Sequence, residues 1–193
     1  MLIQLLLIGY LLSFIFETEN AGLILLVLLI MITASGWIAL SSLDVQRGAL
    51  FKYSFLSILT GGGMTLFLVT EGVLDLDPWY KPQLLIPLAG MVFANAMNSV
   101  SLAAERLNAE IKNGVPYLEA RRTALHAALI PLVNSLFAVG LVSLPGMMTG
   151  QILSGVSPLI AVRYQIMVML MIFGSAGITA ALFLVLSRKE FRA

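Results

Sequence analysis

Apolar residues run along this chain in long windows without charged side chains. A membrane-spanning helix needs about 20 predominantly apolar residues, so each window predicts a span. Five windows cover residues 1–16, 21–43, 53–70, 82–104 and 164–187, and a sixth covers residues 123–162.

The sixth window is too long for one span. At about 1.5 Å per residue it would form a helix of roughly 60 Å, twice the hydrocarbon thickness of a bilayer. Leu144-Pro145-Gly146 and Gly155-Val156-Ser157-Pro158 provide breaks. We predict an all-α, polytopic transmembrane helical bundle of about six spans, with a bent Gly/Pro-rich element at 145–158 before the last span. The predicted spans lie near 1–16, 21–43, 53–74, 84–104, 123–144 and 159–187.

Composition supports a membrane protein. The 193 residues are 60% hydrophobic and 11% charged, with a mean hydropathy of +0.99. So few charges cannot cover the surface of a soluble globule, which excludes a soluble enzyme or a nucleic-acid binder. The spans leave no room for a separate soluble domain, so we expect residues 1–193 to form one transmembrane domain. Cysteine is absent, which excludes disulfides and thiolate metal sites.

Basic residues fall unevenly between the spans. Nine of the eleven lie in 44–52, 105–122 and 188–192, which share one side if six spans alternate. Only Lys81 and Arg163 lie on the other side. Lys and Arg concentrate on cytoplasmic loops, so we expect a multi-pass protein of the inner (plasma) membrane with a cytoplasmic C-terminus. Residues 105–122 then form the largest cytoplasmic segment.

Ionisable residues are nearly absent from the predicted membrane interior. Glu71 and Arg163 lie near span ends, and His126 lies just beyond the cytoplasmic segment. Ion-coupled carriers usually place charged groups at membrane depth, so a proton relay is poorly supported. If the protein transports a solute uphill, a separate ATPase is the natural energy source, because the chain carries no nucleotide-binding motif.

Neutral polar residues are plentiful inside the spans. Asn95, Asn98 and Ser99 share one helical face at i, i+3 and i+4. Asn134 and Gln165 lie in the last two spans. These amides could hydrogen-bond between helices or line a polar path, and the Asn95/Asn98 pair favours the path.

The bent element contains Met147, Met148 and Gln151. Adjacent thioethers could bind a soft metal, although methionine more often serves as adaptable packing. Bent backbone at membrane depth must be buried in protein or line water, so this element is a candidate gate. The Gly61-Gly62-Gly63 run predicts a kink or a close helix contact.

The segment 105–122 mixes basic, acidic and apolar residues, and Asn113-Gly114-Val115-Pro116 divides it into two short helices. It could be a solvated loop. It could also be an amphipathic helix that lies along the membrane and docks a partner.

Several motifs together resemble the FetB-like permeases, a family of bacterial iron-export and plant aluminium-sensitivity permeases of ABC transporters. The resemblance covers essentially the whole chain. Its longest part is the run from Val139 to Leu153. Other matching motifs are Pro78-Trp79-Tyr80-Lys81-Pro82, Ile86-Pro87-Leu88-Ala89-Gly90-Met91, Asn95-Ala96-Met97-Asn98 and Tyr164-Gln165-Ile166.

The resemblance implies a transmembrane subunit, two copies of which assemble with two ATPase subunits. ATP then binds to the partner, and this chain is not an enzyme and holds no cofactor. Iron or another metal, or a sugar nucleotide as proposed for plant members, would be the exported solute. The chain departs from the family by about one missing N-terminal span and by a shorter segment between Arg106 and Ala127.

We therefore predict an ABC exporter permease, in contact with lipid and not with nucleic acid, that moves a metal or a metal-linked solute outward. The alternative is a passive channel or secondary carrier without an ATPase, and a membrane scaffold is a weaker third hypothesis.

No metal-ligand set is assigned. The predicted translocation pathway comprises Asn95, Asn98, Asn134, Met147, Met148, Gln151 and Gln165. The predicted ATPase-coupling residues are Glu105, Arg106, Glu119, Arg121 and Arg122.

Overall fold

The computed structural model describes residues 2–17, 20–43 and 47–191; Glu19 and the tail residue Arg192 lie outside these ranges. The described residues form helices and connecting turns without a strand, which confirms the predicted all-α bundle. The helices are α1 (Leu2–Glu17), α2 (Ala21–Ile38), α3 (Arg47–Ser57), α4 (Gly63–Gly72), α5 (Pro82–Lys112), α6 (Tyr117–Ala138), α7 (Gly146–Leu153) and α8 (Pro158–Leu186).

Four regions of the described chain are long and apolar enough to cross a membrane. They are Ala21–Ile38, Arg47–Gly72, Pro82–Lys112 and Pro158–Lys189. Helix α1 is apolar but has 16 residues, and only Ile15 of its side chains is buried. Helix α6 has 22 residues and includes two arginines and a histidine in its first half. Helix α1 coincides with the first predicted span, and α6 overlaps the fifth.

The α5 helix is the centre of the bundle and packs against α2, α6 and α8. Its inward face combines large apolar side chains with small ones, and Ala89, Ala96, Ala103 and Ala104 are fully buried. Small residues let helix backbones approach closely, which maximises van der Waals contact where lipid supplies no hydrophobic driving force.

A π-helical turn, Ile58–Gly62, joins α3 to α4 within one continuous span. Gly61 faces Thr179 of α8, and Gly62 faces the ring of Phe93 on α5. Without side chains at these two positions, the span can touch both neighbouring helices. The Gly61-Gly62-Gly63 run therefore produces both the local distortion and the close contact expected from it.

The segment 105–122 differs from the predicted pair of short helices. Helix α5 continues through it to Lys112, and α6 already begins at Tyr117. The turn between them is short because Gly114 adopts a positive φ of 79° and Pro116 precedes the first residue of α6. The segment is thus the tip of a helical hairpin that is continuous with two spans of the bundle.

The fifth predicted span, 123–144, also has different limits. Helix α6 ends at Ala138, six residues before the predicted break at Leu144. The chain turns at Gly140, where φ is +81° and the N–H donates to the Ser143 carbonyl at 3.0 Å. The bent element itself is present as the short helix α7, followed by a turn at Gly155.

Contacts at one end of the bundle bring the basic segments together. Lys52 forms a salt bridge with Glu190, 3.7 Å between Nζ and Oε1, and the Tyr53 hydroxyl donates to the same carboxylate. The Tyr117 hydroxyl donates to the Leu184 carbonyl. The start of α3, the start of α6 and the end of α8 therefore share one end, as the alternation of spans predicts.

We expect Gly61→Ala to destabilise the protein. An added Cβ would lie 3.0 Å from the Thr179 backbone nitrogen and closer still to its hydroxyl. Overpacking of this kind costs about 1–3 kcal/mol. Thermal unfolding of the purified protein in detergent measures the effect.

Gly63→Ala is the matched control, because nothing lies within 4 Å of a Cβ at that position. We expect it to be neutral or slightly stabilising, by up to about 1 kcal/mol. Equal midpoints for the two variants would show that the close contact does not constrain the bundle.

Candidate translocation cavity

A cavity of about 470 Å³ lies between α5, α6, the start of α7 and α8. Its polar groups come from three helices, whereas α7 contributes Pro145, Gly146 and Met147. Apolar side chains complete the lining, so the polar groups are set in a mainly hydrophobic wall, as in typical small-solute sites. The polar side chains are Asn95, Asn98, Ser99, Ser135 and Gln165.

Helix α5 presents three of these polar groups because they share one face. Asn95, Asn98 and Ser99 line the same cavity, which confirms the face predicted from their spacing. The Asn95 Nδ2 donates to the Met91 carbonyl at 2.8 Å. This bond orients the amide and leaves its carbonyl oxygen as the free acceptor.

Gln165 on α8 is the most deeply placed of the amides. It is 6% exposed, and its Oε1 has no hydrogen-bond partner among the described residues. A buried acceptor without a partner is costly, since native structures pair nearly all such groups. A ligand or water in the cavity would satisfy it.

A second cavity of about 340 Å³ adjoins the first through shared residues. Gln165 and Met169 line both cavities, whereas Met148 lines only the second. Met147 and Met148 point to different spaces because consecutive helical residues project about 100° apart. The adjacent thioethers therefore do not face one common cavity.

Four of the seven predicted pathway residues line the main cavity: Asn95, Asn98, Met147 and Gln165. Met148 lines the adjoining one. Asn134 is exposed beside Ser135, which occupies the cavity wall in its place. Gln151 is half-buried outside both linings, with an unpartnered Oε1.

Sequence reasoning missed two methionines of the lining. Met91 and Met169 belong to long apolar helices where methionine is ordinary packing. Met91 lies one helical turn before Asn95. Extending the face of Asn95, Asn98 and Ser99 by four residues toward the N-terminus would have predicted it. No local signal distinguishes Met169 from the other methionines of α8.

The predicted coupling residues lie in the terminal turns of α5 and α6. Glu105, Arg106, Glu119 and Arg122 are exposed, and Arg121 is half-buried. Arg106 forms an i,i+4 salt bridge with Glu110. The hairpin thus presents charges of both signs at the end of two helices that also line the cavity.

Four further buried hydroxyls lack partners among the described residues: Ser54, Ser57, Ser175 and Thr179. They belong to α3 and α8, which pack together. The residues that the structure describes contain no group of three or more His, Cys, Asp or Glu side chains that could hold a metal ion.

The chain matches the profile of a family described as "Uncharacterised protein family (UPF0014)" over residues 1–121 and 115–192. It is 34% identical to the "Probable iron export permease protein FetB" of Escherichia coli, covering 98% of this chain and 78% of that protein. It is 37% identical to "Protein ALUMINUM SENSITIVE 3" of Arabidopsis thaliana, covering 92% and 69%. A UPF0014 membrane protein of Synechocystis is 39% identical, covering 89% and 72%. No solved structure matches the chain.

The alignments indicate an internal difference in length. The alignment with the Escherichia coli protein extends over 206 residues, 13 more than the 193 of this chain. The family match divides at 115–121, where α5 turns into α6. This division agrees with the expected shortening of the segment between Arg106 and Ala127.

Cysteine accessibility tests the cavity, and the natural chain offers a cysteine-free background. We expect Ser135→Cys and Asn98→Cys to react with a water-soluble maleimide in membranes, because the attacking thiolate requires water. The measurement is the labelling rate of each single-cysteine variant.

Leu26→Cys and Ser175→Cys are the controls. Leu26 is exposed on an apolar helix and lines neither cavity, whereas Ser175 is fully buried. We expect both to stay unlabelled in the folded protein. Labelling of Leu26→Cys as fast as Ser135→Cys would mean that the cavity is not a distinct aqueous space.

Proposed function

The chain belongs to the UPF0014 family of membrane proteins, and from this premise we propose that it is the permease subunit of an ABC transporter that exports a metal ion or a metal-linked solute. The observation that carries the proposal is the amide-lined cavity between α5, α6, α7 and α8. The outward direction and a metal as the class of solute are suggested by the relative named as an iron export permease.

The energy source follows from the chemistry of the cavity wall. The described residues of its lining include no Asp, Glu, His, Lys or Arg, so they offer no protonation or ion pairing that would couple transport to an ion gradient. A partner ATPase that binds ATP would supply the energy. This chain would then act as a transport subunit and not as an enzyme.

The hairpin of α5 and α6 is suited to transmit movement. Helix α5 contains no proline between Lys112 at the tip and Asn95 in the cavity. Helix α6 contains Pro131 between Tyr117 and Ser135, and this proline removes one backbone hydrogen bond. A hydrogen-bonded helix is stiff along its axis, so α5 is the stiffer of the two arms. An ATPase that pushes the tip, at Glu105, Arg106, Glu119, Arg121 and Arg122, would therefore tilt two walls of the cavity together.

A second copy of this chain would complete the pathway. Asn98, Asn134 and Ser135 are exposed on long helices, at positions where the surroundings are otherwise apolar. Polar side chains that face hydrocarbon are costly unless protein or water surrounds them. Packing of two chains along this face would shelter these groups and place two cavities side by side.

This arrangement fits one permease domain in the plasma membrane. The three basic segments meet at one end of the bundle, and basic segments favour the cytoplasmic side. The hairpin and the C-terminal end of α8 would then face the cytoplasm, where ATP is available to the partner.

Transport measurements test the pathway. In liposomes that contain the permease and its ATPase, we expect Asn98→Ala and Gln165→Leu each to lower ATP-driven metal efflux by about tenfold, equivalent to roughly 1.4 kcal/mol. Gln83→Ala is the control, since this exposed amide lies on α5 outside both cavities. Undiminished efflux in both cavity variants would contradict the pathway. Efflux by the permease alone would favour the passive channel or secondary carrier.

Charge reversal tests the docking site. We expect Glu119→Lys combined with Arg122→Glu to reduce co-purification of the ATPase, because both side chains are exposed near the hairpin tip. Lys81→Glu, at the start of α5 and far from the tip along the helix, is the matched control. Equal recovery of the ATPase from both variants would place the docking site elsewhere.

A further inference from the structure

Three methionines from three different helices line the main cavity: Met91 on α5, Met147 at the start of α7 and Met169 on α8. Each is half-buried. Methionine is unbranched and flexible, so its sulfur can adjust its position within a cavity. The thioethers are brought together only by the packing of the helices.

The oxygen groups of the cavity are neutral acceptors. Gln165 is 6% exposed, and its Oε1 lacks a partner among the described residues. Asn95 uses its N–H to bind the Met91 carbonyl, which leaves its oxygen available. Unpaired acceptors beside thioethers favour a ligand that is positively charged.

Among the residues that the structure describes, the same lining contains no carboxylate, imidazole or thiolate. Hard ions such as Mg²⁺ and Ca²⁺ bind carboxylate and other oxygen ligands. A multiply charged ion buried without a counter-charge also bears a large desolvation cost. Thioethers, in contrast, select soft ions such as Cu(I).

We propose that this cavity binds a soft monovalent cation of the Cu(I) or Ag(I) class through the thioethers of Met91, Met147 and Met169, with the Gln165 carbonyl oxygen as a further contact. The proposal deepens the proposed function, because it names the class of metal that the exporter would carry. Binding itself requires neither ATP nor the partner subunit.

The ligand set has a consequence for pH. Metal sites made of cysteine, histidine or carboxylate lose affinity in acid because their ligands must be deprotonated. Thioether and amide groups do not titrate in the physiological range. The affinity of this cavity for Ag(I) should therefore be the same at mildly acidic and neutral pH.

Calorimetric titration tests the site on the full-length permease in lipid nanodiscs, with Ag(I) as the probe in chloride-free buffer. We expect one Ag(I) per chain, unchanged affinity across that pH range and no displacement by Fe(II). Met91→Leu, Met147→Leu and Met169→Leu should each weaken binding by about tenfold or more, since loss of a group that merely orients a metal ligand already costs that much.

Met64→Leu is the matched control. Met64 is 63% exposed on α4 and lies outside both cavities, so its replacement should leave Ag(I) affinity unchanged. Leucine nearly conserves the volume of methionine and should preserve the fold. X-ray absorption on the Ag(I)-loaded natural chain gives a second readout that needs no variant, with sulfur neighbours expected around the ion.

Absence of Ag(I) binding, absence of sulfur neighbours, displacement by Fe(II) or equal affinity loss in Met64→Leu would each overturn the proposal. ATP-driven export of another solute without Ag(I) binding would refute this site alone. Ag(I) binding with no dependence of transport on an ATPase would instead refute the proposed function.

Discussion

Backbone hydrogen bonding in an environment without water is the constraint that shapes this bundle. Each unpaired N–H or C=O group in hydrocarbon costs several kcal/mol, so the spans are helical throughout. Glycine permits a departure from the α-helix where neighbouring protein covers the backbone. The π turn at Ile58–Gly62, for example, lies between α5 and α8, with Gly61 against Thr179.

The same constraint applies to side chains and concentrates polarity in one place. Hydroxyls of several span residues donate a hydrogen bond to the backbone carbonyl one turn earlier, as Thr70 does to Leu66 at 3.0 Å. The amides of Asn95, Asn98 and Gln165 meet at a cavity between four helices, and Asn95 also donates to the Met91 carbonyl one turn earlier. The buried Gln165 oxygen has no partner among the described residues, and a polar or charged solute in the cavity would supply one.

Long uninterrupted helices connect this cavity to the end of the bundle where the basic segments meet. Helix α5 extends from Pro82 to Lys112 and lines the cavity at Asn95 and Asn98. Because its tip is a four-residue turn and not a flexible loop, a force at the tip would reach the cavity with little loss. The family match divides at this turn.

The sequence by itself determined the class of protein, the order of the helices and the shared face of Asn95, Asn98 and Ser99, because charge-free length and helical period are local properties. The sequence predicts that α6 ends at Leu144, whereas the helix ends at Ala138. Several residues between these two positions are compatible with either a helix or a turn. Only the tertiary structure decided that Met91, Met147 and Met169 share a cavity with Gln165. Their convergence depends on the angles and registers of three helices, which are set by packing around the alanines of α5. These angles and registers produce no periodic pattern in the sequence.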